Sequence, residues 1–416
     1  MLKRVPFTPG DLTDHQWGTD DVLTGLDNST NILIGDAGGS MFDFSKGGDD
    51  TFTGGVNSTN TFFGDAGGNM SGHAQGGNDT FTGGEGSSNT FFGDAGGTMS
   101  DNAHGGDDIL TGGNNSGNGN TENRLTGDAG VMSGSAHGGN DILTGGENSG
   151  SQLLTNFLQG DADALFNSAK GGDDILIGGD SSGGNVFNAL WGDAISMFGS
   201  SKGGNDVLIG GNNTSAGVVQ NAEVDGDAAF MFGSAKGGND TLTGGNNSGS
   251  GFVQNKLAGD AGVMSGSAHG GNDILTGGNN SGSGQLNNSL YGDALSLSGS
   301  SKGGNDTLCA GTAAPGCTVS NFMWGDGQLQ DSAQGGTDMF VFKDAGSMTV
   351  GTHNTIEDFS QSQQDKIEFA DVTGVQSFND LGIAQSGTDT IITAGADQVT
   401  LHNFTSSLTA NDFLFV

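Results

Sequence analysis

One aspartate recurs along this chain at a nearly constant interval. A motif Gly-Gly-(Asn/Asp)-Asp-x-Leu/Phe-x-Gly sets its second acid at Asp50, Asp79, Asp108, Asp141, Asp174, Asp206, Asp240, Asp273 and Asp306. Asp21 and Asp338 open and close the series with weaker matches. Successive spacings are 29, 29, 29, 33, 33, 32, 34, 33, 33 and 32, so there are ten repeats. Self-similarity at such a period points to stacked structural units. A second motif, Asn-x-Leu-x-Gly-Asp, lies inside each repeat. Its aspartates are Asp36, Asp65, Asp94, Asp128, Asp161, Asp193, Asp227, Asp260, Asp293 and Asp326. Its leading Asn is missing in the seventh repeat, where Ala222 takes the position.

Length varies on only one side of the repeat. Asp50 to Asn60 is 10 residues and Asp240 to Asn255 is 15, whereas each second-motif Asp precedes the next main-motif Asp by 12 to 14. Tolerated insertion marks a free surface loop. A fixed interval marks a constrained turn, and both acid columns are expected to flank it on one edge of the molecule. "DTLTGG" and "NKLAGDA" read as short strands with Leu242 and Leu257 pointing inward. One coil buries too little to stand alone, but stacked coils align their leucines into a continuous core. The expected fold is all-β: a parallel β-roll or β-solenoid of about ten coils, rising about 4.8 Å per coil. The coil is two-sided with long turns, or has a third strand drawn from segments such as "FMFGS" and "GVVQ". Expected divisions are a lead-in over 1–20, the solenoid over 21–334 and a C-terminal β cap over 335–416.

Stacking sets each Asp beside its counterpart one coil away, an arrangement that repels unless neutralised. Lys plus Arg number 11 against 48 Asp plus Glu, a net charge of −37. Lys46, Lys170, Lys202, Lys236 and Lys302 share one column with His104, His137 and His269, and are expected to offset part of the acid. A divalent hard cation would do the rest. Calcium takes carboxylate and carbonyl oxygens, and glycine turns expose such carbonyls. Both acid columns, Asp21 to Asp338 and Asp36 to Asp326, are therefore candidate calcium ligands. The charge balance rules against nucleic acid as a partner. No stretch is long and apolar enough to span a membrane.

In "AKGGNDTLT", Gly238, Asp240 and Leu242 match the nonapeptide G-G-x-G-x-D-x-U-x, although Ala235 and Lys236 replace its first glycines. Asn255 stands where the second motif would need an Asp. At these residues the chain resembles the RTX, or haemolysin-type, calcium-binding repeats. The resemblance implies a β-roll with calcium at the Asp240 column; the Asp260 column lies outside the nonapeptide. From Gly335, "GGTDMFVFKDAG", "NTIEDFSQSQQDKIEF" and "VTLHNFTSSLTANDFLFV" resemble the terminal cap of serralysin-type RTX proteins. That implies type I secretion machinery as a partner and export from a Gram-negative-type bacterium. It fits "MLKRVPFTPGDLTDHQWG", which lacks the apolar core of a signal peptide. Asp358 and Asp365 become further candidate ligands. In a secreted protein, Cys309 and Cys317 are expected to close a disulfide.

No enzyme is expected. "GSSKG" (199–203 and 299–303) fits a nucleophile elbow, but it sits in a repeated turn. The expected function is a calcium-binding structural component of an extracellular, self-associating assembly: a surface layer, filament or biofilm matrix. The alternative is a calcium-dependent adhesin or ice-binding protein. It would use the flat Thr/Ile/Val face made by residues such as Thr51, Thr53, Thr241 and Thr243. Phe63, Phe92, Trp191, Tyr291 and Trp324 are expected to be exposed on another face.

Overall fold

From the third coil on, each coil carries three short strands, and successive coils pair strand on strand in parallel; in the first two coils isolated bridges such as Ala37 to Ala66 and Met41 to Met70 take the place of the third strand. The computed structural model describes residues 3–4, 8–343, 349–350 and 353–416. Sheet I, 13-stranded, runs from Val22–Thr24 through Thr241–Thr243 and Ile274–Thr276 to Phe413–Phe415. Sheet II, 14-stranded, starts at Thr30–Ile34 and includes Phe252–Ala258. Sheet III, 8-stranded, includes Ala228–Met231 and Ala261–Met264. One coil therefore passes from sheet II through a Gly-Asp corner to sheet III, then by a turn and a Gly-Gly corner to sheet I. The architecture is a β-solenoid of about ten coils, as expected, and it is three-sided.

Two apolar clusters fill the interior. Leu242 and Leu257, from sheets I and II, belong to a leucine and phenylalanine column that is wholly buried. In its first coils the phenylalanines stack, with Phe52 and Phe81 centroids 4.6 Å apart and Phe62 and Phe91 4.8 Å apart. Fully burying such a side chain stabilises by about 1.5–3 kcal/mol, repeated at every coil. Ala261, Met264 and Ala268 belong to a second column lined by alanine and methionine. This lobe corrects the reading of the interval between the two acids as a single turn. Its length is constant because it holds a strand and a packed core, with Met231 against Met264 in register. The signal was present as Gly-Asp-Ala-x-x-Met, but alanine is a poor marker of a strand.

The asparagines of the second motif point inward between the apolar residues. Asn255 donates Nδ2 to Asn288 Oδ1 (2.8 Å) and to the Gly245 carbonyl (2.9 Å). Its Oδ1 accepts from Asn221 Nδ2 (2.7 Å) and the Gly245 amide (2.9 Å). An amide is both donor and acceptor, so a column of amides can satisfy itself. The seventh repeat does not lose its place. Asn221 pairs with Asn188 and Asn255, and a register shift after it absorbs one extra residue. Ala222 thus belongs to a β-bulge rather than replacing the asparagine.

Before the first coil, Leu12 inserts into the alanine and methionine lobe and bridges to Met41. Residues 1–2 and 5–7 of the expected lead-in lie outside the described residues. At the other end, sheet I continues through Met339–Lys343 and Lys366–Ala370 without a break at residue 335. Sheet II ends in three strands, Leu381–Ser386, Asp389–Ala394 and Asp397–Leu401, paired antiparallel. No helix among the described residues is long and apolar enough to cross a membrane.

Candidate metal-binding columns

The glycines of the Gly-Asp and Gly-Gly corners bring two stretches of backbone close together inside the coil. A Cβ on Gly226 would overlap both the Gly259 carbonyl oxygen and Asp240 Oδ2. A Cβ on Gly237 would overlap Asp227 Oδ2 and Asp260 Oδ1. Only glycine permits that approach. In chain order Asp260 lies between Leu257 of one apolar column and Ala261 of the other, and Asp273 between Ala268 and Leu275. The two acid columns therefore converge, as the fixed interval implied. They do so in the interior, at the junction of the two lobes, and not on an exposed edge. From Asp50 to Asp338 every main-motif aspartate is at most 1% exposed.

Most carboxylates of the two columns use one oxygen to satisfy backbone. The Asp240 amide donates to Asp273 Oδ1 (2.7 Å), and the Asp206 amide to Asp240 Oδ1 (2.7 Å). In the second column the Gly238 amide donates to Asp227 Oδ1 (2.8 Å), and the Gly271 amide to Asp260 Oδ1 (2.6 Å). The other oxygen is left without a partner. Such orphans are Oδ2 of Asp50, Asp79, Asp108, Asp141, Asp174, Asp206, Asp240, Asp273, Asp306 and Asp338. The second column adds Oδ2 of Asp161, Asp193, Asp227, Asp260 and Asp293, and Oδ1 of Asp65. Buried carboxylate oxygens without donors are costly. Burial, followed by the carboxylates of Asp227 and Asp206, pushes Asp240 well above the usual carboxylate range. Burial raises Asp50 to about 8 and Asp338 to about 9.

The remaining members of the columns are satisfied. Asp94 and Asp128 share both oxygens with one glycine amide each, Gly106 and Gly139. Asp36 accepts from the Thr19 and Gly48 amides, and Asp326 from the Gly336 amide and Gln363 Nε2. Asp21, in the first coil, is half-buried and accepts from Thr19 Oγ1. Asp358 and Asp365 close the columns. Asp358 accepts from the Gly325, Asp326 and Gly327 amides, and Asp365 from the Asp338 and Ser360 amides.

An exposed ladder beside the first column is a useful control. Asp49, Asn78, Asp107, Asn140, Asp173 and Asn205 alternate, and each side-chain oxygen accepts the backbone amide of the next coil. Asn serves that role as well as Asp. The buried column also needs only one acceptor oxygen for its backbone bond, yet it carries Asp in every coil. Its second oxygen is therefore the part that the amide cannot supply.

The lysine and histidine column does not neutralise these acids. Lys46, Lys170, Lys202, Lys236 and Lys302 are exposed on the outer surface. Among the described residues the ion pairs join Arg124 to Glu122, Lys343 to Asp371 and His402 to Glu357. Cys309 and Cys317 are free thiols, correcting the expected disulfide. Cys309 stands in sheet I beside Thr276, whereas Cys317 packs against the separate cluster holding Val319 and Leu286. Trp191 is also corrected. It is 6% exposed, packed with Phe157, Phe187 and Ala229.

Among the described residues no three His, Cys, Asp or Glu side chains form a cluster able to hold a metal. Each coil offers two carboxylates, and the additional oxygens at the corner are glycine carbonyls. No protein-family model matches the chain, and no curated protein matches it.

Proposed function

We propose that this chain is a secreted, non-enzymatic calcium-binding solenoid that folds as it meets calcium outside the cell. It would serve as a structural component of an extracellular assembly. One observation carries the reading: two buried columns of carboxylates in which most second oxygens have no donor. One divalent ion per coil balances the two carboxylates of that coil. The orphan oxygens of Asp227, Asp240 and their counterparts, with nearby glycine carbonyls, are the hard oxygen donors calcium prefers. When bound, the ion would supply the positive charge that the interior otherwise lacks. Metal binding then becomes folding free energy, because the unfolded chain has no such site. Low cytosolic calcium would leave the chain unfolded and exportable, in keeping with the resemblance of its last segment to a type I secretion signal. Self-association is supported by apolar side chains exposed in the first coil, where Val22, Leu26 and Ile32 are 80%, 72% and 65% exposed.

Circular dichroism with calcium and with a chelator at neutral pH tests the reading. We expect β signal only with calcium, and equal β content in both would sink it. The adhesin or ice-binding reading has its own support in the outward threonines of Thr51–Thr53 and Thr80–Thr82, aligned in register. Electron microscopy separates the two. Ordered sheets or fibres favour the structural role; monomers with affinity for ice or glycans favour the other.

A further inference from the structure

The turn that follows sheet III carries, in three successive coils, an aromatic ring, a hydroxyl and a cation. These are Phe166, Ser168 and Lys170, then Phe198, Ser200 and Lys202, then Phe232, Ser234 and Lys236. The carbonyl of each phenylalanine accepts the backbone amide that closes its turn, from Ala169, Ser201 and Ala235 in that order. The rings form a ledge, with centroids 4.9 Å apart between Phe166 and Phe198 and 5.4 Å between Phe198 and Phe232. Ser168, Ser200 and Ser234 are exposed beside them. The three lysines are exposed, bridge backbone to backbone from coil to coil, and enter no ion pair among the described residues. A molecule with net charge −37 thus sets three successive lysines on one outward line.

We propose that this ridge binds a linear acidic polysaccharide, with sugar carboxylates on Lys170, Lys202 and Lys236 and ring faces on the phenylalanine ledge. Three matches carry the assignment. The cations recur once per coil, about 4.8 Å apart, close to the length of one pyranose ring along a polymer. The hydroxyl row suits sugar hydroxyls, and the ledge suits the apolar face of a sugar. Nucleic acid fits less well, because duplex DNA carries one charge per about 1.7 Å of its axis and the rest of the surface repels so dense a polyanion. The surface is separate from the interior acid columns. The proposal needs the folded solenoid, whatever ion its interior holds.

Calorimetric titration of the full chain, folded by its β circular dichroism, with a galacturonate hexamer tests the proposal. We expect binding that weakens with salt. Exchanging Lys170, Lys202 and Lys236 together for Gln should weaken it at least about tenfold. The ladder already carries glutamine at Gln75 and Gln334, so the fold accepts that residue. Phe198→Ser should weaken binding while leaving the salt dependence in place. Undiminished binding by the triple variant would overturn the proposal, as would equal affinity for neutral maltohexaose. Tighter binding of a single-stranded DNA hexamer, or no binding of the galacturonate at all, would overturn it too.

Discussion

At the scale of single residues, two inward columns of similar shape obey opposite chemistry. The Asn255 column closes on itself because an amide both donates and accepts. The Asp240 column cannot, because a carboxylate only accepts. Asn255→Ala should therefore strand Asn221, Asn288 and the Gly245 backbone, costing roughly 1–3 kcal/mol for each unsatisfied group, read by thermal unfolding in calcium. Asp240→Asn should act differently. The acceptor for the Asp206 amide stays, but one interior charge is removed. We expect the number of calcium ions bound to fall and the metal-free protein to become easier to fold, checked by calcium titration and circular dichroism. Gly259→Ala would drive a Cβ into the Gly292 carbonyl and Asp273 Oδ2, an overpacking cost of about 1–3 kcal/mol or more.

Among elements, sheet III decides where the coil can change length. The outer loop is exposed around Asn118 and Gly119, and a Cβ on Gly119 would meet nothing within 4 Å. Three residues inserted there should alter stability by less than about 0.6 kcal/mol. One residue inserted between Gly262 and Val263 should unfold that coil, because it turns Met264 out of the core. Limited proteolysis of the two variants distinguishes the outcomes. The bulge after Asn221 shows the same rule from the other side. The chain tolerates an extra residue where it can be set aside without moving Asn221 or Val224 from the interior.

For the whole molecule, the acid columns couple folding to pH and, on the proposed function, to calcium. Burial raises the interior carboxylates, Asp50 to about 8 and Asp338 to about 9, against an ordinary value of 3.8. A raised acid holds more protons folded than unfolded, so stability without metal falls as pH climbs. The loss begins near pH 4 and continues through about 8 to 9 for these two groups. Metal-free protein should therefore keep its β signal near pH 4 and lose it at neutral pH. Calcium should restore it at neutral pH, where the carboxylates are free to bind it. Thermal melts across pH 4 to 9, with calcium and with chelator, check both arms. Much of this was legible in the sequence. The aspartate period implied stacked coils, and the spacing of 12 to 14 between the two acids implied that their columns meet. These follow because strand alternation and repeat length are local properties. Whether the acids face solvent or interior is not local. It depends on the alanine and methionine lobe folding back against the leucine column, which brings Gly226 and Gly237 into contact with carboxylates of their own coil and of the next. Likewise, Lys236 and Asp240 are four residues apart, yet one faces out and the other in. The period and the residue types are enough to define a coil and its charges. Which of those charges leave water is set by how three sheets pack together, because burial belongs to the assembled coil and not to any one strand.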